Sequence, residues 1–173
     1  MKLMTTILFI LFLSLTAFGQ NNDKDVELSS KFIIDLIDKV EWPDASSKDS
    51  FVINVVGDGK YVPILQSIVS SSPSNGKNIT INSVSIDNKL DGCQIVFIAT
   101  DSLNHLAKIL KQVEKKPILT VSMFGTFARY GVMVNIREVK NSKIKYAVNK
   151  MTARKAKLII SEDLIKKAVE TFG

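Results

Sequence analysis

The sequence predicts a three-layer α/β/α sandwich, with a mostly parallel central sheet that ends in an antiparallel hairpin. Three observations predict it. Short β-rich runs alternate with stretches of helical period through most of the chain, the pattern of a parallel sheet covered by crossover helices. One of these runs, residues 93–99, is apolar almost throughout, as a strand buried on both faces must be. The last part changes style, with two β runs on either side of a short polar turn, the signature of an antiparallel hairpin.

The chain has 173 residues, 46% of them hydrophobic and 23% charged. That length suits one domain, and the composition is globular rather than disordered. Residues 1–19 read as a secretory signal peptide and residues 20–173 as the single mature domain. Lys2 supplies a positive start, Thr5 to Ala17 is rich in Ile, Leu and Phe, and Ala17 and Gly19 are the small residues a signal peptidase reads. Cleavage is expected before Gln20, with export to the periplasm. The rival reading is an uncleaved anchor. However, Thr5, Thr6, Ser14 and Thr16 break a run already shorter than the roughly 20 apolar residues a bilayer span needs. Stable membrane insertion of the mature chain is therefore not expected. The formal net charge is +6, with lysines densest at 108–116 and 140–157. Exported proteins rarely meet nucleic acid, so none is expected as a partner. The lysines serve either solubility or contact with anionic lipid, polysaccharide or an acidic protein.

Residues 20–25 are polar and expected to fray. From Val26, the apolar residues Leu28, Phe32, Ile33, Leu36, Ile37 and Val40 recur at helical spacing, giving one stripe for a core. Trp42-Pro43 stops this helix, because proline disfavours a helical residue before it. Residues 51–56 form a strand that ends at Gly57-Asp58-Gly59, and residues 61–70 follow as a helix. Residues 70–77 (Ser-Ser-Ser-Pro-Ser-Asn-Gly-Lys) form a loop by composition, and 79–84 return as a strand. After the buried strand 93–99, Asp101 or Ser102 can cap a helix carrying Leu103, Leu106, Ile109, Leu110 and Val113. Pro117 follows its end, and residues 118–122 make another buried strand. The hairpin strands are 131–138 and 142–148. A short helix is expected at 151–157. Ser161 then caps a terminal helix with Glu162 and Asp163 in its first turn.

Little in this pattern marks catalysis. His105 is the only histidine in the chain; a metal site needs several converging ligands, and a serine nucleophile needs an elbow motif that is absent here. No catalytic residue, metal or cofactor is assigned. Gly57 and Asp58 stand at the carboxyl end of a strand, where α/β sheets bind ligands, but the turn lacks the further residues of a phosphate-binding motif. Cys93 is the only cysteine, so no intramolecular disulfide can form. In a buried strand its thiol should act as a small hydrophobe with a raised pKa; pairing with a second chain is the alternative. Residues 120–136 carry the most information. Phe124, Phe127, Arg129 and Tyr130 lie between Gly125 and Gly131. They read either as a loop that caps the core, with Gly131 in a conformation only glycine adopts easily, or as an exposed aromatic and arginine cluster suited to an interface. Asn135 and Asn149 fall at strand ends. Each should bond neighbouring backbone, with a ligand role as the second possibility.

Several stretches together resemble the YfiR-like (YfiR/HmsC) family of periplasmic regulators. Glu41-Trp42-Pro43 resembles the Y-x-E-W-P end of the family's first helix. Residues 51–58 resemble its first strand and G-D turn, and Cys93 to Ile98 its C-x-x-x-F-I strand. Gly131 to Ile136 is similar to its G-x-M-I-N-F segment. Tyr146 to Asn149, followed by Ala153, Leu158, Ile160, Ser161 and Leu164, is similar to its closing motif. Val132, Ile136 and Lys157 depart from the pattern at positions that affect packing. The lone Cys93 departs further, since the best-known relative carries disulfides linked to redox sensing.

The resemblance implies a three-layer periplasmic domain, often a homodimer, without catalytic activity. It also implies a partner: the periplasmic domain of an inner-membrane signalling protein, a diguanylate cyclase of cyclic-di-GMP signalling or a sensor kinase. The candidate binding residues are Gly57, Asp58, Phe124, Phe127, Arg129, Tyr130, Asn135 and Asn149; Glu41, Trp42, Pro43, Cys93 and Gly131 carry the family motifs. The alternative function is a periplasmic sensor of a small ligand. A small hydrolase built around His105 is a third possibility.

Overall fold

The computed structural model describes residues 17–43, 50–71 and 77–173, with side chains from Lys24 onward. Most of the expected signal segment and of the Ser-rich loop lies outside these residues. The first helix, α1 (Ala17–Asp35), tightens into a 3-10 turn at Leu36–Asp38. It begins upstream of Val26, so residues 20–25 are helical rather than frayed. Once the apolar stripe is packed, propagation adds a hydrogen bond for each residue fixed, and the helix extends through polar sequence. Its stripe buries Val26, Ile33, Ile34, Leu36 and Ile37.

The helix ends before Trp42 because Val40–Glu41 forms a strand, β1. It pairs antiparallel with Ile159–Ile160, β8, setting Val40 against Ile160. The other strands are β2 (Ser50–Gly57), β3 (Asn78–Val84), β4 (Ile95–Ala99), β5 (Leu119–Ser122), β6 (Val134–Lys140), β7 (Lys143–Asn149) and β9 (Glu170–Phe172). They form one sheet in the order β3-β2-β4-β5-β6-β7-β9. Neighbours are parallel from β3 through to β6, antiparallel between β6 and β7, and parallel again between β7 and β9. The hairpin turns at Asn141 and Ser142, both at positive φ (51° and 57°), the two-residue geometry whose twist matches that of the strands.

β4 shows how the layers form. All five of its residues are buried. Ile95, Phe97 and Ala99 face a core shared with α1 and with α2 (Tyr61–Ser71), where Tyr61 stacks edge-on against Phe97 at 5.0 Å. Val96 and Ile98 face the opposite core, with Leu106, Ile109 and Val113 of α3 (Leu103–Val113). The period of two along a strand thus feeds two helical layers. Two further short helices, α4 (Lys150–Lys155) and α5 (Glu162–Lys167), follow the hairpin. Ser102 caps α3 by accepting from the His105 amide, and Ser161 caps α5 by accepting from the Leu164 amide. Among the described residues, no helix is long and apolar enough to cross a membrane.

Candidate functional site: a clamped turn between β5 and β6

The connection between β5 and β6 contains a 3-10 turn, Phe127–Tyr130. Phe127 anchors it by entering the core beneath α3 with Val132. Gly131 ends it at φ +110°, where a β-carbon is strained, and its amide returns to the Ala128 carbonyl at 3.2 Å. Two buried asparagines then grip one residue from both sides. The Asn135 Oδ1 accepts the Ala128 amide at 3.2 Å, and the Asn149 Nδ2 donates to the Ala128 carbonyl at 2.8 Å.

Each asparagine is also tied elsewhere. Asn135 is completely buried. Its Nδ2 donates to the carbonyls of Ser122 (3.2 Å), Phe124 (3.3 Å) and Ile136 (3.2 Å). Asn149 caps α4, its Oδ1 accepting from the Thr152 amide at 2.8 Å. Ser122 completes the network: its Oγ donates to the Ile98 carbonyl at 3.1 Å and accepts from the Phe124 amide at 3.2 Å. Buried polar groups cost free energy unless paired, and these are paired within the fold. Both asparagines act on backbone, and both amide groups are engaged internally.

The clamp turns two side chains outward. Tyr130 is 60% exposed. Arg129 is exposed too, and its Nη2 lies 3.3 Å from Glu170, which also takes Arg137 at 3.2 Å. Ion pairs this open to solvent contribute little to stability, so Arg129 is held loosely enough to change partners. Tyr130 also borders a cavity of about 270 Å³ walled by Leu110 and Met133 and rimmed by Lys111, Lys115 and Lys155. These three lysines fall in the dense stretches of the sequence, but only the fold joins them, by placing the end of α3 beside α4. Phe124 is half-buried over the same core as Phe127.

The other candidates lie apart from this cluster. Gly57 ends β2 and Asp58 follows it, and β4 and β5 separate β2 from β6. Gly57 has φ +116°, and a β-carbon there would stand 2.3 Å from the Ala99 carbonyl oxygen. The Asp58 carboxylate accepts the Lys60 amide at 3.1 Å and pairs with its ammonium at 2.8 Å. This contact with Lys60 lowers the Asp58 pKa. His105 is exposed on α3.

At the amino ends of the strands, Trp42 is buried edge-on against Phe51, with centroids 5.4 Å apart. Its indole Nε1 has no hydrogen-bond partner among the described residues. A cavity of about 220 Å³ opens there, lined by Trp42, Phe51, Cys93, Gln94, Asp91 and Lys116, with Pro43 at its edge. Cys93 precedes β4 and is buried, which pushes its thiol up to about 11. Glu41 is exposed on β1.

The motif-bearing residues thus occupy the places a shared fold would require. Trp42 and Cys93 close the amino end of the sheet, and Gly131 and Asn135 shape the β5–β6 connection. Residues 26–169 match the model of the YfiR/HmsC-like family. The chain belongs to the YfiR/HmsC-like family. The family is a regulatory one and is periplasmic in general. None of the curated proteins matches the chain in sequence. Among solved structures, it is similar to an ABC domain in complex with L-Trp from Streptococcus pneumonia, at 10% identity and a TM-score of 0.56. That likeness covers 80% of this chain and 59% of the other, and it is one of fold.

Proposed function

We propose that this YfiR/HmsC-like protein is a periplasmic, non-catalytic regulatory module that binds the exported domain of an inner-membrane signalling protein. A diguanylate cyclase or a sensor kinase is the expected partner class. The observation that carries this reading is the clamp on Ala128. It fixes a turn whose outward residues, arginine and tyrosine, are the types that dominate interface hot spots. Rigid display lowers the ordering cost of association. Export would remove residues 1–19, which an intact-mass measurement on periplasmic protein tests directly.

Affinity capture tests the function. The mature chain, immobilised and shown to be folded, should retain an inner-membrane protein with an exported domain from solubilised envelopes. Recovery of no such protein by folded bait would count against the proposal.

A second reading rests on Trp42. A buried donor left unpaired costs about 1–3 kcal/mol, and a small ligand bearing an acceptor could satisfy it from the adjacent cavity. A thermal-shift screen of envelope metabolites tests this. A ligand at 100 times its Kd adds roughly 2.7 kcal/mol, and the Trp42→Phe variant should lose that shift.

A further inference from the structure

The cavity beside Tyr130 gathers charge that the fold does not use. Lys111, Lys115 and Lys155 stand on its rim, all three exposed. Among the described residues none of them forms an ion pair, and Glu114, on the same rim, pairs with none of them. Other lysines are spent within the fold. Lys108, on the same helix as Lys111, meets Asp87, and Lys145, Lys166 and Lys167 each meet a carboxylate. The carboxyl end of a helix attracts a cation, which accounts for Lys111 in the last turn of α3 and Lys155 in the last turn of α4, each taken singly. It does not account for both helix ends, and Lys115 beyond the first, facing one concave space. Like charges around a concavity focus a positive potential, and an acidic ligand relieves it.

Inside that rim the walls are largely apolar. Leu110 is half-buried and Tyr130 exposed, and buried Val113, Met133 and Ala156 close the space. The lysine stems add methylene surface. A cavity of about 270 Å³ holds the volume of roughly nine waters, room for one large apolar side chain. Tyr130 lines this cavity and is the chain neighbour of Arg129, so the basic rim continues into the pair displayed by the clamp. A ligand confined to the cavity would leave Arg129 unused, whereas an extended segment covers both.

We propose that this cavity is the anchor pocket for an acidic segment of a protein partner. One aromatic or aliphatic side chain of the segment enters between Leu110 and Tyr130, and aspartates or glutamates beside it meet Lys111, Lys115 and Lys155. The proposal rests on the docking reading above and names the partner's chemistry at that surface. Charge complementarity selects an acidic occupant, and continuity with Arg129 selects a polypeptide over a small acid or a lipid headgroup. The division of labour follows from the two kinds of contact. A desolvated apolar anchor supplies most of the affinity, and the rim charges supply selectivity and a dependence on salt.

Panning a phage-displayed library of random peptides on the immobilised mature chain tests the proposal without any natural partner, so its outcome is separate from that of affinity capture. The enriched peptides, made synthetically, are titrated against wild type, Lys111→Glu/Lys155→Glu and Lys140→Glu/Lys143→Glu. The last variant makes the same change of charge at the hairpin turn, and all four positions are exposed. Circular dichroism with thermal melting checks each fold. The enriched peptides should carry an aromatic or aliphatic residue flanked by Asp or Glu, and should bind more weakly as salt rises. Lys111→Glu/Lys155→Glu should raise their Kd at least about tenfold with Tm unchanged, and Lys140→Glu/Lys143→Glu should bind as wild type does. No enrichment, enrichment of neutral or basic peptides, or equal binding by Lys111→Glu/Lys155→Glu would overturn the proposal. So would binding to phosphatidylglycerol vesicles through Lys111 and Lys155 with no peptide enriched, which would assign the cavity to a lipid surface.

Discussion

Gly57 and Gly131 have nearly the same φ, +116° and +110°, yet the turns around them do different things. At Gly57 the polar side chain that follows, Asp58, closes on its neighbour Lys60 and stays in solvent. At Gly131 the polar side chains are Asn135 and Asn149, buried and bonded to a backbone unit between them. One turn keeps its polar side chain on a near neighbour, while its backbone is tied to β4 by the Asp58 amide donating to the Ala99 carbonyl at 2.8 Å. The other is held from two strands at once, and it presents Arg129 and Tyr130 from a fixed backbone. Positive φ alone therefore marks neither turn as functional; what surrounds the glycine does.

The largest effect should come from Gly57→Ala, which sets a β-carbon against the Ala99 carbonyl and forces either β2 or β4 to shift. A loss of about 3 kcal/mol or more is expected in urea unfolding. A near-neutral result would show that this turn is freer than its contacts with β4 imply. Next comes the clamp. Asn135→Ala orphans the buried Ala128 amide and should cost about 3 kcal/mol, with faster hydrogen exchange at Ala128. Asn149→Ala removes a helix cap as well as one of the Ala128 carbonyl's two partners, and should cost about 2 kcal/mol. The double variant should lose less than the sum, since both side chains act on one residue.

The smallest effect belongs to Asp58→Asn, within about 0.5 kcal/mol because the pair with Lys60 is exposed. The sign with pH is set by the lowered Asp58 pKa. A carboxylate whose folded pKa is depressed contributes above its unfolded pKa, and that contribution fades as pH falls through the folded value. Below that range, wild type and Asp58→Asn should converge in stability.

Much of the fold was legible because it rests on period. The helical stripe of α1, the apolar run of β4 and the hairpin can each be read from neighbouring residues, as can the caps Ser102 and Ser161. What was not legible arises only from distant pairing. β1 and β8 are two residues each, too short for any period, and they exist because each finds the other. β9 lies within what reads as helix and tail, and it forms because the Val169 amide reaches the Tyr146 carbonyl at 2.9 Å. At the site, the two asparagines were readable as strand-end residues bonded to backbone. That both hold Ala128 was not, since they lie 7 and 21 residues from it.

Affinity capture with Arg129→Ala/Tyr130→Ala tests the central claim most directly, because both side chains are exposed and the clamp beneath them is untouched. The variant should keep the wild-type Tm and retain the membrane signalling protein at least about tenfold less well, as the loss of a hot spot demands. Equal retention by variant and wild type would place the working surface elsewhere and contradict the account.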